Sequence, residues 1–207
     1  EETRKPSKQA PPQLYDLTSL QREASNRFGF SARRTLQLAQ SLYEGHKVLT
    51  YPRTDSRYLP EDYLPNVKDV MRSFAKLGAS DRDSLADDLS KHADTALTNG
   101  YVTGTKRVFD TTKVSDHFAI IPTGVIPSKL DEAEQKLFDM VTRRFIAVFF
   151  PPAEFEVTTR MTRIEEDTFK SEGKVLKESG WLAVYGKKAA EEAAADVAAV
   201  EEPATEA

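Results

Sequence analysis

The chain has 207 residues, with 29 Lys and Arg against 33 Asp and Glu, three His and no Cys. That length suits one ordinary domain, or one plus a fragment; without Cys there is no disulfide scaffold, thiolate metal site or cysteine nucleophile, and no apolar run approaches the ~20 residues of a membrane span. The net charge of −4 is uneven: residues 189–207 hold six acids and no Lys or Arg, while Leu17–Pro60 carries seven Lys and Arg against three acids, a block that suits either a phosphate-bearing partner or a solvated helix face.

Residues 1–13 are charged, contain Pro6, Pro11 and Pro12 and have little to bury, so 1–15 are expected to be a linker. Glu1-Glu2-Thr3-Arg4-Lys5 has no apolar signal core, and a cytoplasmic location is the expectation. Thr18 with Gln21 fits a capping box, and Leu17, Leu20, Ala24 and Phe28 follow at helical spacing up to Gly29, which tolerates a left-handed cap. Ser31 can cap the next helix, where Leu36, Ala39 and Tyr43 share a face and Gly45 is the stop. Two short helices joined by a tight turn resemble a helix-turn-helix, a pattern that simple packing units share.

Val48-Leu49-Thr50-Tyr51 reads as a short strand, which Pro52 must end because it has no N–H to give a ladder. From Pro65, the residues Val67, Val70, Met71, Phe74 and Leu77 form an amphipathic stripe closed by Gly78; Leu85, Leu89, Ala93 and Leu97 form another. Residues 99–127 read as mostly irregular. Asp131 with Glu134 caps a long helix carrying Leu137, Met140, Val141, Phe145 and Val148, ended by Pro151-Pro152. The period then becomes two: Phe155, Val157, Thr159 and Met161 alternate with Glu156, Thr158 and Arg160. Val175-Leu176 and Trp181–Tyr185 suggest two further strands. Residues 187–207, mostly Ala and Glu, read as a disordered or weakly helical tail. The expected class is mainly α with a small antiparallel β part (α+β), as a helical domain over 16–150 and a partial second domain over 151–186.

The densest segment chemically is Leu49-Thr50-Tyr51-Pro52-Arg53-Thr54-Asp55-Ser56-Arg57-Tyr58-Leu59-Pro60. In an extended chain, residues i and i+2 face one side, so Tyr51 and Arg53 would converge. A phenol beside a guanidinium suits attack on a phosphodiester: the cation steadies the non-bridging oxygens and eases deprotonation of a group that titrates near 10 in water. Read locally, Tyr51 is equally a half-buried residue closing a strand, and Arg53 with Asp55 a surface ion pair. Ser115-Asp116-His117 has the residue types of a hydrolase triad, but members of such triads rarely sit consecutively.

Thr50-Tyr51-Pro52-Arg53-Thr54-Asp55-Ser56 closely resembles the active-site signature of the type IA DNA topoisomerases, and with Arg57-Tyr58-Leu59-Pro60 it looks most like the topoisomerase III branch. Upstream, Asp16-Leu17-Thr18-Ser19-Leu20-Gln21-Arg22-Glu23-Ala24, Arg27-Phe28-Gly29-Phe30-Ser31 and Ala39-Gln40-Ser41-Leu42-Tyr43-Glu44 resemble the stretch leading to the family's tyrosine. Downstream, Lys113-Val114-Ser115-Asp116-His117-Phe118-Ala119-Ile120-Ile121-Pro122-Thr123 resembles its histidine motif, and Gly180-Trp181 its returning strand.

The resemblance implies a helix-turn-helix or winged-helix-like catalytic-tyrosine domain with returning strands of an arch domain. It implies that Tyr51 attacks single-stranded DNA to form a 5′-phosphotyrosyl link, that Arg53 positions tyrosine and phosphate, and that His117 helps hold the scissile phosphate. Gln40, Thr50, Asp55 and Glu44 lie at matching positions, with supporting or DNA-contacting roles, and Ser115 of the histidine motif is a further candidate DNA contact. Arg33, Arg34, Arg57 and Lys113 are candidate phosphate contacts by charge, with a solvated face an equal reading for Arg33 and Arg34. Many relatives have a second His where this chain has Phe118, which could instead stack on a base. The family's Mg²⁺ sits in an acidic Toprim domain preceding this region, whose Glu and Asp-x-Asp pattern is not found here. Asp81-Arg82-Asp83 and Asp87-Asp88 suit a solvated helix face. The expected partners are therefore single-stranded DNA and the Toprim domain of the same parent chain, and the fragment alone is expected to be inactive. The alternative is a non-enzymatic helix-turn-helix module in which Arg22, Arg33 and Arg34 meet duplex phosphates.

Overall fold

The computed structural model describes residues 2–77, 84–164 and 167–195, with 84–87 described by backbone alone. The expectations for Gly78, Leu85, Asp81-Arg82-Asp83, Asp87 and the tail beyond Ala195 lie outside these residues. The chain forms two compact units, residues 12–150 and residues 1–11 with 151–207.

In the first unit, α1 (Leu17–Phe28) starts at Asp16, whose carboxylate accepts from Ser19 N at 2.7 Å, while Ser19 Oγ accepts from Asp16 N. This reciprocal cap lies two residues ahead of the Thr18–Gln21 box read from the sequence. The difference is physical: a carboxylate is the stronger acceptor for orphan helix N–H groups, and Gln21 instead donates to Ala32 O at 3.1 Å. Gly29, at φ 68°, closes α1 by donating to Ser25 O at 2.9 Å. Ser31 caps α2 (Ala32–Gln40) through Arg34 N. A π turn over Ser41–Gly45 then widens the helix. Thr35, Ala39 and Leu42, at i, i+4 and i+7, are buried, while Leu36 and Tyr43 are only half-buried. Lys47, at φ 59°, turns the chain out of the π turn.

Helix α3 (Leu64–Ala75) buries Val67, Val70, Met71 and Phe74, while Leu77 beyond it is half-buried. In α4 (Ser84–Thr98), Leu89, Ala93 and Ala96 are buried. Helix α5 (Glu132–Ala147) begins with the expected box: Asp131 accepts from Glu134 N at 2.8 Å and Glu134 from Asp131 N at 3.1 Å. It buries Leu137, Met140, Val141 and Phe145, each contributing roughly 1.5–3 kcal/mol of apolar transfer. Arg144 ties α5 to the start of the unit: it pairs with Glu23, donates to Gln13 O at 2.9 Å and lies 4.2 Å from the Tyr15 ring centroid. Leu14 and Tyr15, read as linker, are accordingly core residues, 2% and 0% exposed. Val48–Tyr51 is extended but makes no strand; its sheet-like pairing is the isolated bridge Leu49–Pro122.

In the second unit, residues read as linker form strand β1 (Glu2–Gln9), which pairs antiparallel with β2 (Ala153–Ile164), and β3 (Asp167–Glu178) pairs on β2's other side. β1 is illegible in the sequence because all eight of its residues are exposed, so it has no apolar alternation. Pro6 is tolerated because β1 is an edge. The inward alternation of β2 holds at Ala153 and Phe155 and fades outward, where Met161 is 40% exposed. The third expected strand is a 3₁₀ helix, Gly180–Tyr185. Gly180, at φ 48°, turns the chain so that Leu182 and Trp181 join Ala153 and Phe155, and the Trp181 indole donates to Gln9 O at 2.9 Å. Lys187–Ala195 of the expected tail is helix α6. Among the described residues, no helix is long and apolar enough to cross a membrane.

Candidate active site

The site is built on two irregular segments, 50–58 and 113–121. Backbone bonds join the segments at their ends, Thr50 N to Ile121 O at 2.9 Å and Ala119 N to Tyr58 O at 3.0 Å; Pro52 interrupts the ladder between them, and side-chain hydroxyls add the bonds there. Thr50 Oγ1 donates to Ala119 O at 3.1 Å and accepts from Ile121 N at 2.9 Å. Thr54 Oγ1 donates to His117 O at 2.9 Å and accepts from Ser56 N at 3.1 Å. Ser56 Oγ donates to Lys113 O at 2.8 Å and accepts from Tyr58 N at 3.2 Å. Thr54 and Ser56 are 8% and 4% exposed, whereas Arg53 and Asp55 between them face solvent. Even positions therefore point in and odd positions out.

Tyr51 is half-buried. Its ring lies 4.2 Å from the His117 ring centroid to centroid, tilted at 41°, and Tyr43 of the π turn meets it edge-on at 5.5 Å. Among the described residues the Tyr51 hydroxyl has no hydrogen-bond partner. Two residues on, Arg53 is held by the end of α2: with its amide oxygen turned to the guanidinium, Gln40 accepts from Nε at 3.3 Å and Nη2 at 3.2 Å. The arrangement offers a half-buried phenol against an imidazole, with an exposed, oriented cation two residues along the chain.

The other expected contacts divide. Thr50 has its hydroxyl engaged on both sides within the fold, which makes it a positioning residue for Tyr51. Ser115 Oγ donates to Asp55 Oδ1 at 3.2 Å, an exposed pair; it does not form a triad with His117. Arg57 Nε donates to the Asp16 cap carboxylate at 3.0 Å. Burial pushes the Asp16 carboxyl up, but the hydrogen bonds from Ser19 and Arg57 together outweigh it and hold the carboxyl below its ordinary value. Lys113 is exposed, 3.3 Å from Tyr58 Oη and 3.5 Å from Asp110. Phe118 is half-buried, its ring 4.8 Å from that of Tyr63. Arg33 and Arg34 are exposed, with Arg34 over the Phe30 ring at 4.7 Å.

Sequence reading misses Gln13, Thr54, Ser56, Tyr43 and Glu134. The alternating hydroxyls at 54 and 56 are a usable signal. Glu134 reads only as a cap partner, yet its carboxylate also accepts from Ser41 Oγ at 2.6 Å and lies 3.2 Å from His46 Nε2, gripping both ends of the π turn. The hydrogen bond from Ser41 is the main reason its carboxyl lies below the ordinary value. Among the described residues there is no group of three or more His, Asp or Glu placed to hold a metal ion.

A family model described as DNA topoisomerase matches residues 1–205. DNA topoisomerase 3 of Bacillus licheniformis is 44% identical over 176 residues, 84% of this chain and 23% of its own length. DNA topoisomerase 3 of Bacillus subtilis is 43% identical over 178 residues, again 84% and 23%. A DNA topoisomerase 3 of Bacillus cereus is 41% identical over 184 residues, 88% and 24%. The fold matches full-length topoisomerase I from Thermotoga maritima with a TM-score of 0.60 and 23% identity, over 90% of this chain and 29% of that one. The chain thus spans about a quarter of the length of the curated relatives it matches.

Proposed function

Because the chain belongs to the type IA DNA topoisomerase family, and is similar to DNA topoisomerase 3, we propose that it carries the nucleophile half of the parent's strand-cutting site. The Tyr51 oxygen attacks the phosphorus of a single-stranded DNA phosphodiester. The Tyr51 O–P bond forms, the bond to the 3′ oxygen breaks, and the phenolic proton is exchanged for the one the 3′-hydroxyl gains. The 5′-phosphotyrosyl link conserves the bond energy, so reversal religates without ATP. Arg53, oriented by Gln40, neutralises the non-bridging oxygens as charge builds on them. His117 packs against the phenol and presents an imidazole to the same phosphate. The parent relaxes negative supercoils by passing strands through this break. Mg²⁺ supplies further charge at the phosphate in the family, and we assign its acidic site to the remainder of the parent chain.

The observation that carries this reading is the unpartnered phenol, stacked on an imidazole and flanked by an oriented guanidinium, on a segment held facing outward by buried hydroxyls. In the full-length parent, Tyr51→Phe is expected to abolish the covalent protein–DNA adduct while leaving single-strand binding nearly unchanged, since only the attacking oxygen is lost. A Tyr51→Phe parent that still relaxes DNA removes the mechanism. This chain alone, with single-stranded DNA and Mg²⁺, is expected to form no adduct. It should also prefer single strands over duplex in parallel titrations; the reverse preference would favour a duplex-reading helix-turn-helix.

A further inference from the structure

Farther along the same segment, a second group of side chains has no role in the chemistry above. Tyr58 Oη accepts from Gln13 Nε2 at 2.9 Å and from Lys113 Nζ at 3.3 Å. With both its lone-pair directions engaged, the phenol's own hydrogen is left to donate, and it has no acceptor among the described residues. Lys113 Nζ also lies 4.6 Å from the Tyr58 ring centroid. The stretch carrying Arg107 lies beside Tyr58, since Leu59 N donates to Val108 O at 2.9 Å and Leu59 bridges to Phe109; Arg107 is half-buried, and burial holds its guanidinium below its ordinary value. It has no ion pair or hydrogen bond among the described residues. Asp110, the nearby acid, is engaged by Thr112 Oγ1 at 2.6 Å and by Lys113 at 3.5 Å.

With the Asp110 carboxylate already engaged by Thr112 and Lys113, the group offers a phenol O–H, an ammonium with N–H to spare and a partly desolvated guanidinium without an ion pair among the described residues. A partly buried cation with no partner is costly unless an anion completes it, and neighbouring donors in excess of acceptors select an oxyanion with several oxygens. Lys113 belongs to the segment that carries His117, and Tyr58 to the one that carries Tyr51, so a strand lying on Tyr51 runs along the same two segments. We infer that Tyr58, Arg107 and Lys113 form a second phosphate-binding subsite, which holds a backbone phosphodiester of the single strand away from the scissile phosphate. The inference rests on the proposed function, because it takes its ligand to be the strand that Tyr51 attacks.

The test is a titration of this chain with a fluorescent oligothymidylate over a salt series, using Arg107→Gln, Tyr58→Phe and, as control, the exposed Lys129→Gln. Melting followed by circular dichroism checks that each variant is folded, and Arg107→Lys tests retention of the charge. Arg107→Gln is expected to weaken binding about tenfold and to flatten the slope of log K against log salt by roughly 0.7, the value for one phosphate on a single strand. Tyr58→Phe should weaken binding without changing the slope, Arg107→Lys should restore most of the slope, and Lys129→Gln should do neither. The Arg107 Nε resonance should move on adding oligonucleotide and hardly at all with inorganic phosphate. If the chain binds the oligonucleotide but folded Arg107→Gln and Tyr58→Phe bind as tightly, the subsite is wrong and the tyrosine reading stands. If the unaltered chain binds no single-stranded DNA, both fail. Saturation of Arg107 by inorganic phosphate, with oligonucleotide affinity unchanged in the variants, overturns the diester assignment.

Discussion

Thr54→Val tests whether buried hydroxyls hold the site together. The substitution preserves shape and removes one oxygen that serves two bonds, to His117 O at 2.9 Å and from Ser56 N at 3.1 Å. The bond to His117 O contributes about 1 kcal/mol. The Ser56 N–H, in a residue only 4% exposed, would be left without its acceptor at a cost of about 1–3 kcal/mol, and the new methyl returns about 0.8 kcal/mol. The balance is a loss of roughly 2 kcal/mol, or about 1 M in the urea midpoint at a slope near 2 kcal/mol per molar. Trp181 lies in the sheet unit, so tyrosine near-ultraviolet circular dichroism is the probe for residues 12–150, with amide exchange at Ser56 as the local reading. Ser115→Ala, which removes an exposed bond at 3.2 Å, is the comparison and should cost under about 0.5 kcal/mol. A Thr54→Val midpoint within about 0.3 M of the parent value, with Ser56 exchanging as slowly as before, would refute the argument.

Gly180→Ala should destabilise the sheet unit by roughly 3 kcal/mol or more, because a Cβ there would run into the backbone carbonyl of Pro152 at a φ of +48°; Trp181 fluorescence during unfolding reads it. Lys47→Gly should stabilise by about 0.5 kcal/mol, relief of left-handed strain exceeding the entropy cost of glycine, since Lys47 sits at φ 59°; denaturant midpoints check it. Glu134 has a folded-state carboxyl below its ordinary 4.5, so its contribution is complete above that value and is lost as pH falls through the folded pKa. Glu134→Gln should therefore flatten the acid limb of stability measured between about pH 3 and 6.

Much of the fold is legible because its signals are local. Gly29, Ser31 and Asp131 with Glu134 cap the helices they are read to cap, since a cap needs only residues within one turn. The buried face of α3 follows from spacing alone. What is not legible depends on partners distant in sequence. β1 pairs with a strand that follows the helical unit in sequence and buries nothing, so no property of residues 2–9 announces it. The π turn is set by Glu134, which grips Ser41 and His46 from another helix, and this moves Tyr43 from the expected core face to the edge of Tyr51. In the site, outward Arg53 and Asp55 follow from the period of two. The Gln40–Arg53 bond and the Tyr51–His117 stack need the fold to bring 40, 53 and 117 together.

The irregularity of the tyrosine segment has a consequence for its accuracy. A regular strand is kept in register by a backbone ladder and by a buried apolar face. Residues 50–58 have little of either: the direct backbone bonds to the facing segment lie at the two ends, Thr50 N to Ile121 O at 2.9 Å and Ala119 N to Tyr58 O at 3.0 Å, while Pro52 cannot donate and the inward positions after it are Thr54 and Ser56. Between those ends the register is fixed by hydroxyls that each recognise a particular carbonyl or amide on 113–121. Slipping the segment by one residue would turn Tyr51 and Arg53 inward, where the phenol and guanidinium would meet carbonyls already spoken for, and would leave three inward acceptors unbonded. Each unmet buried group costs about 1–3 kcal/mol, so the slipped arrangement is disfavoured by several kcal/mol without any apolar contribution. Short polar side chains thus perform a task usually left to hydrophobic alternation.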